Sequence, residues 1–93
     1  PNWFNLVPKP ILYVKSGCPW CVDALDYFNG KGLDLEVVDL RVNPHRMDEL
    51  VAASGQTKTP TLKHGDFIVA DFDLDEFEAA MEQSPEAKTK LGL

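Results

Sequence analysis

The chain has 93 residues, 44% of them hydrophobic, a formal charge of −6 and a pI near 4.7. That length suits one domain around one core, and the acidic balance leaves no electrostatic footprint for DNA or RNA. No window is long and apolar enough to span a bilayer, and two lone cysteines, Cys18 and Cys21, argue against a disulfide-framed secreted mini-protein, so a monomeric cytoplasmic protein is expected.

In chain order, residues 1–9 contain Pro1 and Pro8 and read as an extended arm, with Trp3 and Phe4 able to dock on the core. Ile11-Leu12-Tyr13-Val14 is an apolar, strand-like run, and Ser16-Gly17 makes a turn out of it. Cys18-Pro19-Trp20-Cys21 then opens a helix: with Cys18 as N-cap, Pro19 falls at the first helical position, where its missing N–H costs nothing, and Cys21 at the third. Val22, Leu25 and Phe28 recur at helical spacing, and Gly30-Lys31-Gly32 stops the helix.

Residues 35–40, Leu-Glu-Val-Val-Asp-Leu, are rich in strand formers, and the helix-length connection to them implies a right-handed βαβ unit with parallel strands. Asn43-Pro44 reads as N-cap and first residue of a second helix with Met47, Leu50, Val51 and Ser54 inward and Gly55 as its stop. Thr61-Leu62-Lys63 and Phe67-Ile68-Val69-Ala70 are two short antiparallel strands joined through Gly65-Asp66. Asp73 and Glu76 form a capping pair for a last helix carrying Leu74, Phe77, Ala80 and Met81 on one face, and Ser84-Pro85 ends it before a short tail. The expected class is α/β, ordered β-α-β-α-β-β-α, with a four-stranded mixed sheet flanked by helices.

The chemistry concentrates at Cys18 and Cys21. Unpaired N–H groups and the positive end of a helix dipole favour a thiolate at Cys18, and Cys21, one turn on, is placed to attack a mixed disulfide formed there. A tetrahedral zinc site needs two further ligands, and His45 and His64 are isolated in the sequence, so no metal is expected.

Three segments together resemble the glutaredoxin family of the thioredoxin fold, over roughly Pro10 to Gln83. They are Cys18-Pro19-Trp20-Cys21 at a helix head, Lys15 three residues before the first thiol, and Ser54-Gly55-Gln56-Thr57-Lys58-Thr59-Pro60, which resembles the approach to the family's cis-proline. The resemblance implies glutathione as reductant, a redox-active Cys18–Cys21 disulfide, and disulfide-containing proteins as partners. It further implies Lys15 and Gln56 as contacts to the glycyl carboxylate of glutathione, Thr59 as partner of its cysteinyl backbone beside Pro60, Trp20 as an apolar wall, and Asp71 and Asp73 near its γ-glutamyl end.

The chain departs from the family where most members carry Gly-Gly after the last strand and this one reads Val69-Ala70-Asp71-Phe72-Asp73. That departure keeps in view a carrier reduced by a thioredoxin-reductase-type flavoprotein; a non-catalytic module whose thiols are ligands is an alternative of another class.

Overall fold

Strand alternation in β1, Ile11–Val14, divides the molecule into two apolar layers, because successive side chains point to opposite faces of a sheet. Leu12 and Val14 face one cluster with Ala24, Phe28, Leu62, Phe72, Phe77 and Met81, whereas Tyr13, with Ile11 packed beside it, faces a second made of Val38, Leu40 and Leu50. The computed structural model describes residues 9–93. Of the arm expected over residues 1–9 only Lys9 falls within it, in an exposed ion pair with Asp34 at 3.3 Å. The docking expected of Trp3 and Phe4 lies outside the described residues.

Four strands form one sheet in the order β2-β1-β3-β4, with β2 at Glu36–Asp39, β3 at Thr61–His64 and β4 at Phe67–Val69. β1 runs parallel to β2, pairing Tyr13 with Val38, and antiparallel to β3, pairing Leu12 with Leu62. β3 and β4 are antiparallel, as the Gly65-Asp66 turn requires. The helix α1 (Pro19–Gly30), the helix α3 (Leu74–Gln83) and the helix α4 (Pro85–Leu91) contribute to the larger cluster through Phe28, Phe77 and Leu91, and the helix α2 (Met47–Ser54) contributes Leu50 to the smaller. Among the described residues no helix is long and apolar enough to cross a membrane.

Several local expectations are corrected. The inward stripe of α1 is Cys21, Ala24 and Phe28, while Val22 is 54% exposed: the i, i+3, i+7 set starts one residue earlier than the apolar run suggests. The segment after Asn43 starts as a 3-10 turn over Pro44–Arg46 and becomes α-helical only at Met47. Tighter winding shifts the phase, so Leu50 is buried and Val51 is 42% exposed. Asn43 makes no side-chain cap bond there. The expected tail is instead α4, with Pro85 in its first turn, Gly92 closing it in the left-handed region at φ 80°, and Leu91 buried.

Beneath α2, the Tyr13 hydroxyl donates to Glu49 Oε2 at 3.0 Å, and Arg46 bridges Glu49 (2.7 Å) and Glu36 (2.8 Å). Burial first, and then the Glu49 carboxylate, push the Tyr13 phenol up to about 12 from 10.0. Arg46 and, less strongly, Tyr13 hold the Glu49 carboxyl below the usual carboxylate range. Folding thus favours the neutral phenol, and the associated stability is complete below pH 10 and is lost as pH rises through 12. Discounted for the solvent that reaches the partly exposed Glu49 and Arg46, that stability is on the order of 1 kcal/mol. Tyr13→Phe is therefore expected to flatten the alkaline fall in melting temperature between pH 10 and 12, and an unchanged fall would show that another group drives it.

Candidate active site

The turn that delivers Cys18 is built from three residues. Gly17 sits at φ 87°, a conformation that costs a side-chain-bearing residue energy, and the Cys18 N–H closes the turn on the Lys15 carbonyl at 3.2 Å. Ser16 donates to Asp39 from its hydroxyl, to Oδ2, and from its backbone N–H, to Oδ1 at 3.4 Å. Asp39, at the end of β2, also accepts from the Arg41 N–H at 2.9 Å. Asp39 and Ser16 were not among the expected site residues. An acidic residue at a strand end has no sequence signal until the parallel β1–β2 register places it beside the turn.

Cys18 is the N-cap of α1, with Pro19 in the first turn. Its Sγ accepts the Cys21 N–H at 3.2 Å, so the sulfur caps one of the open donors of the first turn. Cys18 is half-buried, whereas Cys21 is 2% exposed and belongs to the larger core cluster. Burial, with the Cys18 sulfur beside it, pushes the Cys21 thiol up, and the Thr59 side chain and Lys15 backbone oppose that only in part. Both thiols are free. The pair is therefore asymmetric: an accessible sulfur at a helix end and a protonated one behind it.

Thr59 faces Cys18 from the leader of β3. The Thr59–Pro60 peptide is cis, as expected, and both the Thr59 carbonyl and Thr59 Oγ1 lie 3.9 Å from Cys18 Sγ. Lys15 reaches the same loop, donating from Nζ to the Thr57 carbonyl at 3.0 Å. Gln56 is engaged within the scaffold: its Nε2 donates to Ser54 Oγ at 2.8 Å and Thr61 Oγ1 at 3.2 Å, and its Oε1 accepts the Lys58 N–H at 2.6 Å. Both amide hydrogens are thus in use within the protein, and Gln56 shapes the loop that leads to Pro60. Thr61, fully buried, donates to the Lys58 carbonyl at 2.9 Å and accepts the Asp71 N–H at 3.2 Å, tying the two loops together.

A groove of about 260 Å³ beside Cys18 is lined by Trp20, Thr59, Asp71, Phe72, Asp73 and Glu76. Trp20 is 59% exposed at its edge. Asp71 adopts φ 50°, a region that aspartate tolerates better than most residues. Asp73 caps α3 in the expected reciprocal pair: its Oδ1 accepts the Glu76 N–H at 2.8 Å, and Glu76 Oε1 accepts the Asp73 N–H at 3.2 Å. A larger cleft of about 980 Å³ runs from the β3–β4 turn to the α3–α4 junction and includes none of the expected site residues.

A half-buried helix-end thiol, a buried partner and a cis-proline loop across from them form a thioredoxin-type arrangement, and comparison with known proteins specifies it. The glutaredoxin family model matches residues 11–69. The chain belongs to the glutaredoxin family. It is 27% identical to a glutaredoxin of Pseudomonas aeruginosa over 67 residues, 72% of this chain and 80% of that protein. The glutaredoxin of Archaeoglobus fulgidus superposes with a TM-score of 0.68 at 20% identity, over 87% of this chain and 94% of that one. A buckwheat glutaredoxin–glutathione complex gives 0.67 at 15% identity, over 90% and 76%. These two structures bear on the fold; the family match connects the chain to thiol–disulfide oxidoreductases in general.

Within this glutaredoxin, Asp39 braces the turn that leads into Cys18. The Ser16 hydroxyl, and next the Arg41 N–H, hold its carboxyl below the usual carboxylate range, so the contacts persist at neutral pH and loosen as pH falls through that lowered range. Asp39→Ala is expected to slow disulfide exchange at Cys18 about tenfold, since sub-ångström misplacement of a reacting atom has effects of that size. Asp39→Asn, which keeps an acceptor for the Arg41 N–H, should recover most of the rate in stopped-flow measurements. Equal rates in both variants and the parent would remove Asp39 from the site.

Proposed function

We propose that this chain is a glutathione-dependent dithiol oxidoreductase that reduces protein disulfides and glutathione mixed disulfides, with Cys18 as nucleophile and Cys21 as resolving thiol. The observation that carries the reading is the asymmetry of the pair: Cys18 Sγ accepts a helix-end N–H and is accessible, and Cys21 is buried behind it. The Cys18 thiolate attacks one sulfur of a substrate disulfide, forming a mixed disulfide and releasing the other sulfur as thiolate. Cys21, once deprotonated, attacks Cys18, closes the Cys18–Cys21 disulfide and releases the second substrate thiol. Two glutathione molecules return the dithiol, leaving as glutathione disulfide.

In this reading the Thr59 backbone pairs with the extended substrate beside Pro60, Lys15 meets the glycyl carboxylate, Trp20 walls the groove, and Asp71 and Asp73 meet the glutathione amine. The protein works as one cytoplasmic, monomeric domain; its acidic charge and its two closely spaced cysteines support this.

A specific observation supports a second reading, electron supply by a thioredoxin-reductase-type flavoenzyme. The backbone N–H groups of residues 71–73 already have acceptors in Thr61, Pro60 and Glu76. Reduction of a small mixed disulfide, driven either by glutathione with glutathione reductase or by thioredoxin reductase, separates the two. Turnover with glutathione is expected, and turnover with the flavoenzyme alone would overturn the first reading.

A further inference from the structure

The active-site rim has a charge polarity that the sheet order explains. β3 lies between β1 and β4, so Thr59, which leads into β3, is flanked by residues following β1 on one side and residues following β4 on the other. On the β1 side stands Lys15, against the Thr57 carbonyl, with exposed Lys58 in the same loop. On the β4 side the groove carries the carboxylates of Asp71, Asp73 and Glu76.

The donors on the β4 side are engaged as well. The Asp71 N–H goes to Thr61 Oγ1 at 3.2 Å, the Phe72 N–H to the Pro60 carbonyl at 3.2 Å and the Asp73 N–H to Glu76 Oε1 at 3.2 Å. A carboxylate entering there meets like charge and backbone donors that already have partners. An ammonium or guanidinium meets acceptors, with Trp20 as a face for cation–π contact.

We infer that the groove formed by Trp20, Asp71 and Glu76 is a specificity determinant that selects disulfides whose cysteine is flanked by a lysine or arginine. This deepens the oxidoreductase reading and rests on it. Glutathione offers the groove one amine and one carboxylate at the same carbon, so its attraction and repulsion there oppose each other. A peptide with a basic neighbour offers only the attractive part. Like-charge juxtaposition at a rim acts mainly on encounter and on discrimination among partners, so the preference appears in kcat/KM and falls as salt is raised.

The test uses the pre-reduced protein and three chromogenic mixed disulfides of short peptides with thionitrobenzoate, identical except for lysine, alanine or glutamate beside the cysteine. The lysine peptide is expected to react at least about fivefold faster than the glutamate peptide at low salt, the range that rim charges produce. In Asp71→Asn with Glu76→Gln, where both replacements keep a hydrogen-bond acceptor, the ratio should fall below about twofold. Equal rates for the three peptides, or a preference that survives the double substitution, would overturn the inference and leave the oxidoreductase reading standing. Failure of all three peptides to react would overturn the oxidoreductase reading itself.

Discussion

Cys18→Ser is expected to reduce disulfide exchange by at least about three orders of magnitude, because a serine hydroxyl stays protonated at neutral pH and is a poor nucleophile toward sulfur. The fold should survive, since Cys18 is a half-buried N-cap and serine is among the best residues at that position, able to accept the Cys21 N–H as sulfur does. A native circular dichroism spectrum with no exchange would therefore locate the defect in chemistry. Retained exchange in Cys18→Ser would reassign the nucleophile.

Cys21→Ser separates the two halves of the reaction. With Cys18 intact, a glutathione mixed disulfide can still be reduced, because external glutathione resolves the Cys18 adduct. A protein disulfide substrate should instead be trapped on Cys18, since the internal thiol that would release it is gone. Burial, with Cys18 beside it, raises the Cys21 thiol above its ordinary value, so the thiolate fraction is small at neutral pH and grows with pH above the ordinary thiol range. The resolving step in the parent should accelerate with pH through that region. A pH-independent resolving rate would mean that closure is limited by motion of the chain rather than by deprotonation.

Much of this site was legible in the sequence because its parts are local. Pro19 and the turn residues fix Cys18 at a helix start, and Asp73 with Glu76 states a capping box within four residues. The cis-proline at position 60 follows from a short segment in the same way. What escaped is non-local or short. Asp39 matters only through the parallel register with β1, and Thr61 only because two loops meet on one hydroxyl. The reading of Val51 as inward failed because an apolar residue beside a buried one looks the same in a short run until a 3-10 turn fixes the phase. α4 has only seven residues, too few for periodicity to announce it, though Pro85 and Gly92 mark its ends.

The largest expected loss of stability comes from Phe77→Ala. Phe77 is fully buried, and its ring meets Phe28 edge-on at 5.0 Å, Tyr27 edge-on at 5.9 Å and Phe72 tilted at 5.2 Å between centroids. Truncating such a residue typically costs about 3–5 kcal/mol, from lost burial and the cavity left behind. Small domains unfold with about 5–15 kcal/mol, so the variant would lose a large share of the total and melt at least about 12 °C lower. Val42→Ala, at a position 71% exposed, should stay within about 0.5 kcal/mol of the parent. Matching melts for the two variants would disprove the weight placed on this aromatic cluster. The consequence also reaches the groove, since Phe72 both packs on Phe77 and hydrogen-bonds Pro60 through its backbone. Phe72 thus ties the wall of the groove to the core. Loosening Phe77 should therefore weaken discrimination between lysine- and glutamate-flanked peptides at temperatures where the variant is still folded. A variant that is destabilised yet fully discriminating would show that the wall holds its shape without the core behind it.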